Sequence, residues 1–403
     1  MAWADNNYVH KKQITIDHTK VAGNEVDFPI LIKITDGNLT GCRADGYDIK
    51  FYDSTESIQL KHEIQRWVKA TGELIAWVKI PSLSSIVDTI IYIYYQYPSE
   101  PVDQEDPPNV WDANFVMVQH MNGANAGAIN DSTANNNDVT SSNGCNFQQN
   151  GKIGYAVDFD STNNEYLAVA DSASLDVNDE ATLEGWHYMR QWAGGVTVFA
   201  GLAINKWAAA ANKRSYSISA QDTGANISIW IYCDGTGNWT VQRSHCREDA
   251  FAYNTWHSIV GVIPPGINKL NHIYLNGSDL IPYPATLVQA DQIYVSDRDL
   301  HIGCKENNPG VQYQFYDGLI DEVRISNIAR TDNWIETTFN TQNNPSTFMS
   351  FGAEETNPLS PTYEFKFPLK SKFQYYKYDV KKTQHDKYRN KKGKDYKYKI
   401  KEE

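Results

Sequence analysis

The residues of this chain best suited to chemistry are carboxylates and side-chain amides, and what they suit is a hard cation. Calcium takes about six to eight oxygens from carboxylates, amide carbonyls and backbone. Asp321 raises the question most sharply. The stretch 315–326 reads FYDGLIDEVRIS, a strand pattern in which alternation puts Leu319, Asp321, Val323 and Ile325 on one face. An ionised carboxylate among apolar neighbours is costly unless it is hydrogen-bonded, paired with a cation or bound to a metal. Asp321 therefore calls for a partner elsewhere, either a metal shared with other oxygen ligands or a backbone N–H. The stretch 151–160, GKIGYAVDFD, supplies Asp158 and Asp160. Asn130, Asp131, Asn135 and Asn137 offer further oxygens, in an Asn-rich segment that also reads as a polar loop built on Asx-turns. Their spacing matches no contiguous EF-hand loop.

A second chemistry is stacking. Trp207, Trp239 and Tyr253 lie near loop signals, where an exposed ring could stack on a sugar; the alternative is core packing. Trp186, Trp256 and Tyr274 sit in apolar strand patterns and read as core. The catalytic patterns GxSxG, HExxH, GxxxxGK[ST] and GxGxxG do not occur. The 10 His are scattered, with no pair at metal-ligand spacing. The 5 Cys (Cys42, Cys145, Cys233, Cys246 and Cys304) are odd in number and lack CxxC spacing, so they form neither a zinc set nor a disulfide framework. Cys233 and Cys246 read either as a bridge across a hairpin or as two small buried residues. With no acid and nucleophile to assign, the sequence reads as non-enzymatic.

The elements that must position these residues are strands. The chain has 403 residues, 41% hydrophobic and 12% aromatic, enough for more than one core. Runs rich in Ile, Val, Tyr and Trp recur between Gly, Asn, Asp and Pro clusters, without long helical periodicity, so the fold class is all-β. Strands are predicted at Val9 to Asp17, Asp27 to Ile34, Tyr47 to Tyr52, Gln59 to Val68, Glu73 to Ile80 and Asp88 to Tyr95, which suggests an N-terminal β-sandwich over residues 1–97. Residues 98–109 are Pro- and acid-rich and read as a linker. A second domain is expected over 110–355 and a basic tail over 356–403.

No run of apolar residues is long enough for a membrane span, and the first ten residues carry neither a basic start nor an apolar segment, so no secretory signal is read there. Charge is unevenly placed. Residues 362–403 hold 14 Lys plus Arg against 6 Asp plus Glu, a surplus of +8; subtracting from 36 and 49 leaves 22 against 43, or −21, for the rest. In this tail Lys alternates with Tyr and Phe, which favours a strand added to another sheet; the alternative is a solvated basic tail. The acidic body argues against nucleic acid as a partner.

Several segments carry resemblances. YVHKKQITI (8–16), DFP (27–29), DIKF (48–51), HEI (62–64), GELIAWVKIP (72–81) and TIIYIYY (89–95) resemble a domain of unknown function from archaeal, bacterial and phage surface proteins. WDANFVMVQHM (111–121), NDST (130–133), GKIG (151–154), DFD (158–160), YLAV (166–169), ATLEGW (181–186), TWH (255–257), HIYLNG (272–277), HIG (301–303) and the stretch 317–329 resemble a laminin G-like, concanavalin A-like jelly roll. That second resemblance implies two packed antiparallel sheets bearing a binding surface, and a structural calcium on which Asp160 and Asp321, with Asp131, Asp158 and Asn135, would converge. Glucanases of this architecture carry a Glu-x-Asp-x-x-Glu strand, which this sequence lacks.

The function expected is a non-enzymatic surface or virion structural protein, of fibre or capsid-decoration type. Its jelly roll would bind glycan or cell-surface polysaccharide, and residues 362–403 would join other subunits of a virion or surface assembly. The alternatives are a polysaccharide-processing enzyme or its accessory module, and a purely structural polymerising subunit. The location expected is a virion or extracellular surface.

Overall fold

The computed structural model describes residues 3–190, 198–209, 213–222, 227–234, 241–245, 251–266, 271–280, 293–359, 364–365 and 376–377. The fold is all-β, arranged as two sandwiches. In the first, a five-stranded sheet runs in the order Met349–Thr356, His10–Ile16, Thr89–Tyr95, Ile49–Asp53, Gln59–Leu60, and a three-stranded sheet in the order Glu25–Thr35, Glu73–Leu83, His62–Val68. The second is a jelly roll. Its eight-stranded sheet centres on Gly318–Ser326 and Ala181–Met189, and its nine-stranded sheet on Val198–Ala208 and Lys213–Asp222. Among the described residues no helix is long and apolar enough to cross a membrane.

One boundary moves. The expected second domain, 110–355, does not keep its last strand: Met349–Thr356 pairs with His10–Ile16 at the edge of the first sandwich, with Ile16 opposite Met349 and His10 opposite Thr356. A helix that the sequence did not suggest, Asp332–Asn343, carries the chain back. Thr331 caps it by accepting from Trp334 N at 3.2 Å, which supplies one of the orphan first-turn donors with a partner. The helix then presents Thr337 and Thr341, whose hydroxyls accept from Ala22 N and Leu31 N at 3.0 and 3.2 Å. The stretch 98–109 does connect the domains, but it is pinned along the strand His62–Val68. Asp106 N donates to His62 O at 2.9 Å, and the Glu105 carboxylate accepts from Ile64 N at 2.6 Å. Of the expected tail, Glu364–Phe365 pairs with Tyr376–Lys377; the rest of 360–403 lies outside the described residues.

The face on which Asp321 sits is also corrected. Ile320, Val323 and Ile325 are all in the jelly-roll core, which simple alternation forbids. The cause is a β-bulge. Glu184 opposes Arg324 and Trp186 opposes Asp321, so Glu322 and Val323 together face Gly185, and Glu322 takes a left-handed φ of 53°. One inserted residue flips the side chains beyond it. Asp321 thus points out of the jelly-roll core, toward the first domain, with Glu322 and Arg324.

What meets them is a buried polar network between the domains. His120 Nδ1 lies 3.0 and 2.9 Å from the two Glu322 oxygens, and its Nε2 lies 3.4 Å from Glu63. Arg324 donates to Glu322 at 2.7 Å and lies over Trp77 and Trp111, 4.3 and 4.8 Å from the ring centres. Gln65 joins in, donating to Glu322 at 2.8 Å and accepting from Trp77 at 2.9 Å. Glu63 also accepts from Ser132 at 2.5 Å and Trp111 at 3.0 Å. Burial opposes the charge on His120, but Glu322 and Glu63 outweigh it and raise its pKa to about 10. Burial likewise opposes ionisation of both glutamates, and the His120 charge holds them below the usual range. Asp321 is resolved differently. Burial and then the Glu322 charge push its carboxyl well up, and one of its oxygens accepts from Ile153 N at 2.8 Å.

His120→Ala should cost about 3–5 kcal/mol, because it leaves buried glutamates uncompensated. The pKa of His120 is raised on folding, so its contribution is complete below its unfolded pKa of about 6.5 and is lost as pH rises toward 10. The glutamates' contribution is lost as pH falls below about 4.5. Denaturant titrations of the native and variant chains across pH should therefore differ most between about pH 4.5 and 6.5; a difference independent of pH would contradict the charge assignment.

Candidate functional site

With one jelly-roll sheet turned to the first domain, the outer face of the nine-stranded sheet is the surface left for chemistry. Alternation builds it. In Ile227–Asp234, Ile227, Ile229, Ile231 and Cys233 enter the core, which aims Trp230 and Tyr232 outward. In Lys213–Asp222, Tyr216, Ile218 and Ala220 point into the core, which puts Ser217 and Ser219, both buried, on the opposite side of the sheet. Leu300 and Ile302 flank an outward His301, and Leu167 and Val169 point inward beside Tyr166. Two register shifts in Val198–Ala208 place Asn205 and Trp207 on the same face.

Strand register sets these groups in a row. Tyr232 opposes Ser217, Ser217 opposes Asn205, Asn205 opposes His301, and His301 opposes Ala168, a span of roughly 19 Å at about 4.8 Å per strand. Hydrogen bonds join its members. Ser217 donates to Asn205 Oδ1 at 2.6 Å and lies 3.0 Å from the Ser219 hydroxyl, while Asn205 Nδ2 donates to Leu202 O at 2.9 Å and reaches His301 O at 3.4 Å. Burial pushes the His301 imidazole down to about 4, so it is neutral at pH 7 and offers one donor and one acceptor. Aromatic rings frame the row. Trp230 and Tyr232 are nearly parallel, centroids 5.8 Å apart, with Trp207 5.6 Å from Tyr232 and Tyr166 5.7 Å from His301.

A hairpin, Lys305–Asn308 with Val311–Tyr313, closes one side. It reaches the sheet at Gly201, where a Cβ would stand 2.6 Å from the Cys304 carbonyl carbon and oxygen. This contact delivers Lys305 to the rings, its Nζ 4.7 Å from the centre of Tyr232 and 5.2 Å from that of Trp207. Burial alone pushes its amine down to about 7. The Arg214 guanidinium lies 5.8 Å from the Trp207 ring. Flat apolar faces beside hydroxyl, amide and imidazole groups match the two sides of a sugar, its C–H face and its hydroxyls.

Of the residues the sequence singled out, Trp207 belongs to this face, although it is almost fully covered. Tyr253 packs against the jelly-roll core instead, from the turn before Trp256–Ile263. Trp239 and Cys246 lie outside the described residues. The cation ligands do not converge. Val157 opposes Ile320 and Phe159 opposes Gly318, so Asp160 stands about four residues along the ladder from Asp321, roughly 13 Å away at about 3.3 Å per residue. Asp160 caps a short turn, accepting from Thr162 N at 2.8 Å and Asn163 Nδ2 at 3.0 Å. Asp158 pairs with Arg190 at 2.7 Å.

Asp131 accepts from the backbone N–H of Val118, Thr133 and Asn137 at 2.8 to 2.9 Å. Asn135 lies close by, bonding to Thr133 and Val116 O at 3.2 Å. It also lines a polar cleft of about 380 Å³ with Asp176, Asp179 and Glu180. With Asp160 far along the ladder from Asp321, and Asp158, Asp160 and Asp131 each holding partners of their own, these five residues do not meet at one shared calcium ion. Among the described residues, the group whose side chains could meet at one ion is Asp17, His18 and Asp88, in the first domain. Sequence reasoning missed Trp230 and Tyr232, although their alternation with isoleucines signals an outward face. It missed Lys305 because nothing in a short polar segment marks one lysine as buried.

Residues 45–142 match a Domain of unknown function (DUF2341), and residues 160–336 match the Concanavalin A-like lectin/glucanases superfamily. The first match runs past the Pro-rich stretch and takes in His120. No curated protein matches the chain. Among solved structures, it is similar to the binding domain of Paraclostridial Mosquitocidal Protein 1 (16% identity, TM-score 0.42, 56% of this chain and 52% of that one). It is also similar to domain 4 of AbnA, a GH43 extracellular arabinanase from Geobacillus stearothermophilus solved with arabinotriose (17%, TM-score 0.40, 57% and 100%). A third is the binding domain of Botulinum neurotoxin DC in complex with rat synaptotagmin II (14%, TM-score 0.42, 57% and 52%). The match spans about half the length of the first of these chains.

Gly201→Val should force the hairpin off the sheet, since the added side chain would meet the Cys304 backbone, and cost about 1–3 kcal/mol. Lys305 should then label faster with an amine reagent than in the native chain, as peptide mapping would show; unchanged labelling would mean that Gly201 does not seat the hairpin.

Proposed function

We propose, from the coupling of a DUF2341 domain to a concanavalin A-like jelly roll, that this chain is a non-catalytic glycan-binding protein whose binding surface is the outer face of the nine-stranded sheet. The observation that carries this reading is the row Tyr232, Ser217, Asn205 and His301 with Trp207, Trp230 and Tyr166 beside it. The half-buried rings of Trp230, Tyr232 and Tyr166 offer stacking surfaces there, beside the buried, neutral hydrogen-bonding groups of Ser217, Asn205 and His301, the combination that sugar recognition uses. Glycoside hydrolysis would instead call for two carboxyl groups about 5 to 9 Å apart in an open cleft, whereas the groups of this row are aromatic, hydroxyl, amide and imidazole.

A surface or virion setting is part of the same proposal, with the first domain as spacer or anchor and residues 362–403 as the assembly element. It is supported by the domain pairing and by the charge contrast of +8 in the tail against −21 in the remainder.

Affinity electrophoresis of the full chain through gels containing a panel of polysaccharides tests the binding face. At least one polysaccharide should retard the native protein. Trp230→Ala combined with Tyr232→Ala should weaken that retardation about tenfold or more, equivalent to about 1.4 kcal/mol. Retardation indifferent to both substitutions would move the site elsewhere, and release of reducing ends abolished by a single carboxylate substitution would favour the enzyme.

A further inference from the structure

Five lysines of the described structure are buried: Lys11, Lys12, Lys50, Lys206 and Lys305. Four of them have a carboxylate. Lys11 meets Glu56 at 2.7 Å, Lys50 meets Asp5 at 2.8 Å, Lys12 pairs with Asp36, and Lys206 pairs with Asp171 and lies 3.2 Å from Asp176. Lys305 is 5% exposed, and among the described residues its amine meets only the rings of Tyr232 and Trp207. The adjacent carboxylate is engaged elsewhere: Glu306 accepts from Gly310 N at 2.6 Å and lies 3.3 Å from Arg298 Nε. A buried ammonium without an anion is costly, and cation–π contact returns only about 0.5–2 kcal/mol of that cost.

We infer that Lys305, beside the Tyr232 and Trp207 rings on the outer face of the nine-stranded sheet, receives the carboxylate of an acidic sugar. This rests on the reading of that face as a glycan-binding surface, and it names the class of glycan. Tyr232, the half-buried ring beside Lys305, would take the sugar's apolar face while its carboxylate meets the amine, and Arg214, 5.8 Å from the Trp207 ring, adds positive charge to the same cluster. The amine is pushed down to about 7 by burial alone, so an arriving carboxylate would stabilise the charged form that burial disfavours.

The test uses the full chain in gels containing polygalacturonate, its methyl ester, dextran sulfate or a neutral glucan. Polygalacturonate should bind at least tenfold more tightly than its methyl ester, which keeps the sugar and removes the charge, so this arm depends on no variant. Lys305→Met should abolish that preference. It should not lower the Tm, because an apolar side chain replaces an unpaired buried amine; Lys305→Arg should keep part of the preference. Equal binding of the acid and its ester, or a preference that survives Lys305→Met in a folded chain, would overturn the assignment while leaving a glycan-binding face. Retardation by dextran sulfate alone would overturn the carboxylate specificity. Failure of all four polysaccharides to retard the chain would count against the glycan reading itself.

Discussion

One imidazolium between two carboxylates holds the two domains in register. His120 lies at the end of the strand Phe115–Gln119 and reaches Glu322 on the neighbouring strand and Glu63 in the other domain. Around these charges the two domains share a single apolar cluster, in which Trp111, Phe115, Ile153, Trp334 and Phe348 pack with Phe28, Trp77 and Ile75. Apolar contact has no preferred direction, and a plane of such contacts tolerates sliding. Hydrogen-bonded charges do not. A buried ion pair adds little net stability over an apolar replacement, so the physical role of this one is to select a single arrangement of the surfaces that supply the stability.

That arrangement decides where binding can happen. The bulge at Glu322 turns Asp321, Glu322 and Arg324 toward the first domain, which commits the eight-stranded sheet to the domain interface. Among the described residues, the opposite sheet keeps a face turned away from it. There the same alternation that fills the core with Ile229, Ile231 and Ile218 presents Trp230, Tyr232 and Ser217 on the other side. Folding and the proposed recognition thus use opposite sides of the same strands.

The strands were largely legible in the sequence. His10–Ile16, Glu73–Leu83 and Thr89–Tyr95 lie within a few residues of their predicted spans, because period-2 apolar patterning and turn residues are local signals. What was not legible is what depends on distant partners. The bulge is invisible in FYDGLIDEVRIS, since a glutamate with a left-handed φ carries no local signature, and so Asp321 was assigned to the wrong face. The return of Met349–Thr356 to the first sheet could not be read from a strand that alternates acceptably in either domain. The site was half legible. Trp207 is on it, Trp230 and Tyr232 could have been found from their isoleucine neighbours, and Lys305 could not, because its burial is set by the approach of the hairpin to Gly201.

The pairing of His10–Ile16 with Met349–Thr356 also determines how the molecule bears load. His10 and Thr356 face each other at one end of that ladder, and Asn357 bonds back to Val9 O at 2.9 Å and to Tyr8 O at 3.1 Å. The two segments leading away from the ladder therefore leave it side by side. Tension drawn between them peels the ladder open one hydrogen bond at a time, beginning at His10, instead of shearing all its bonds together. The jelly roll lies wholly between the two strands in the chain, so it carries none of that tension while the ladder holds. A pull would spend itself on the edge of the first sandwich, and the face holding Trp230 and Tyr232 would keep its shape until that edge had opened.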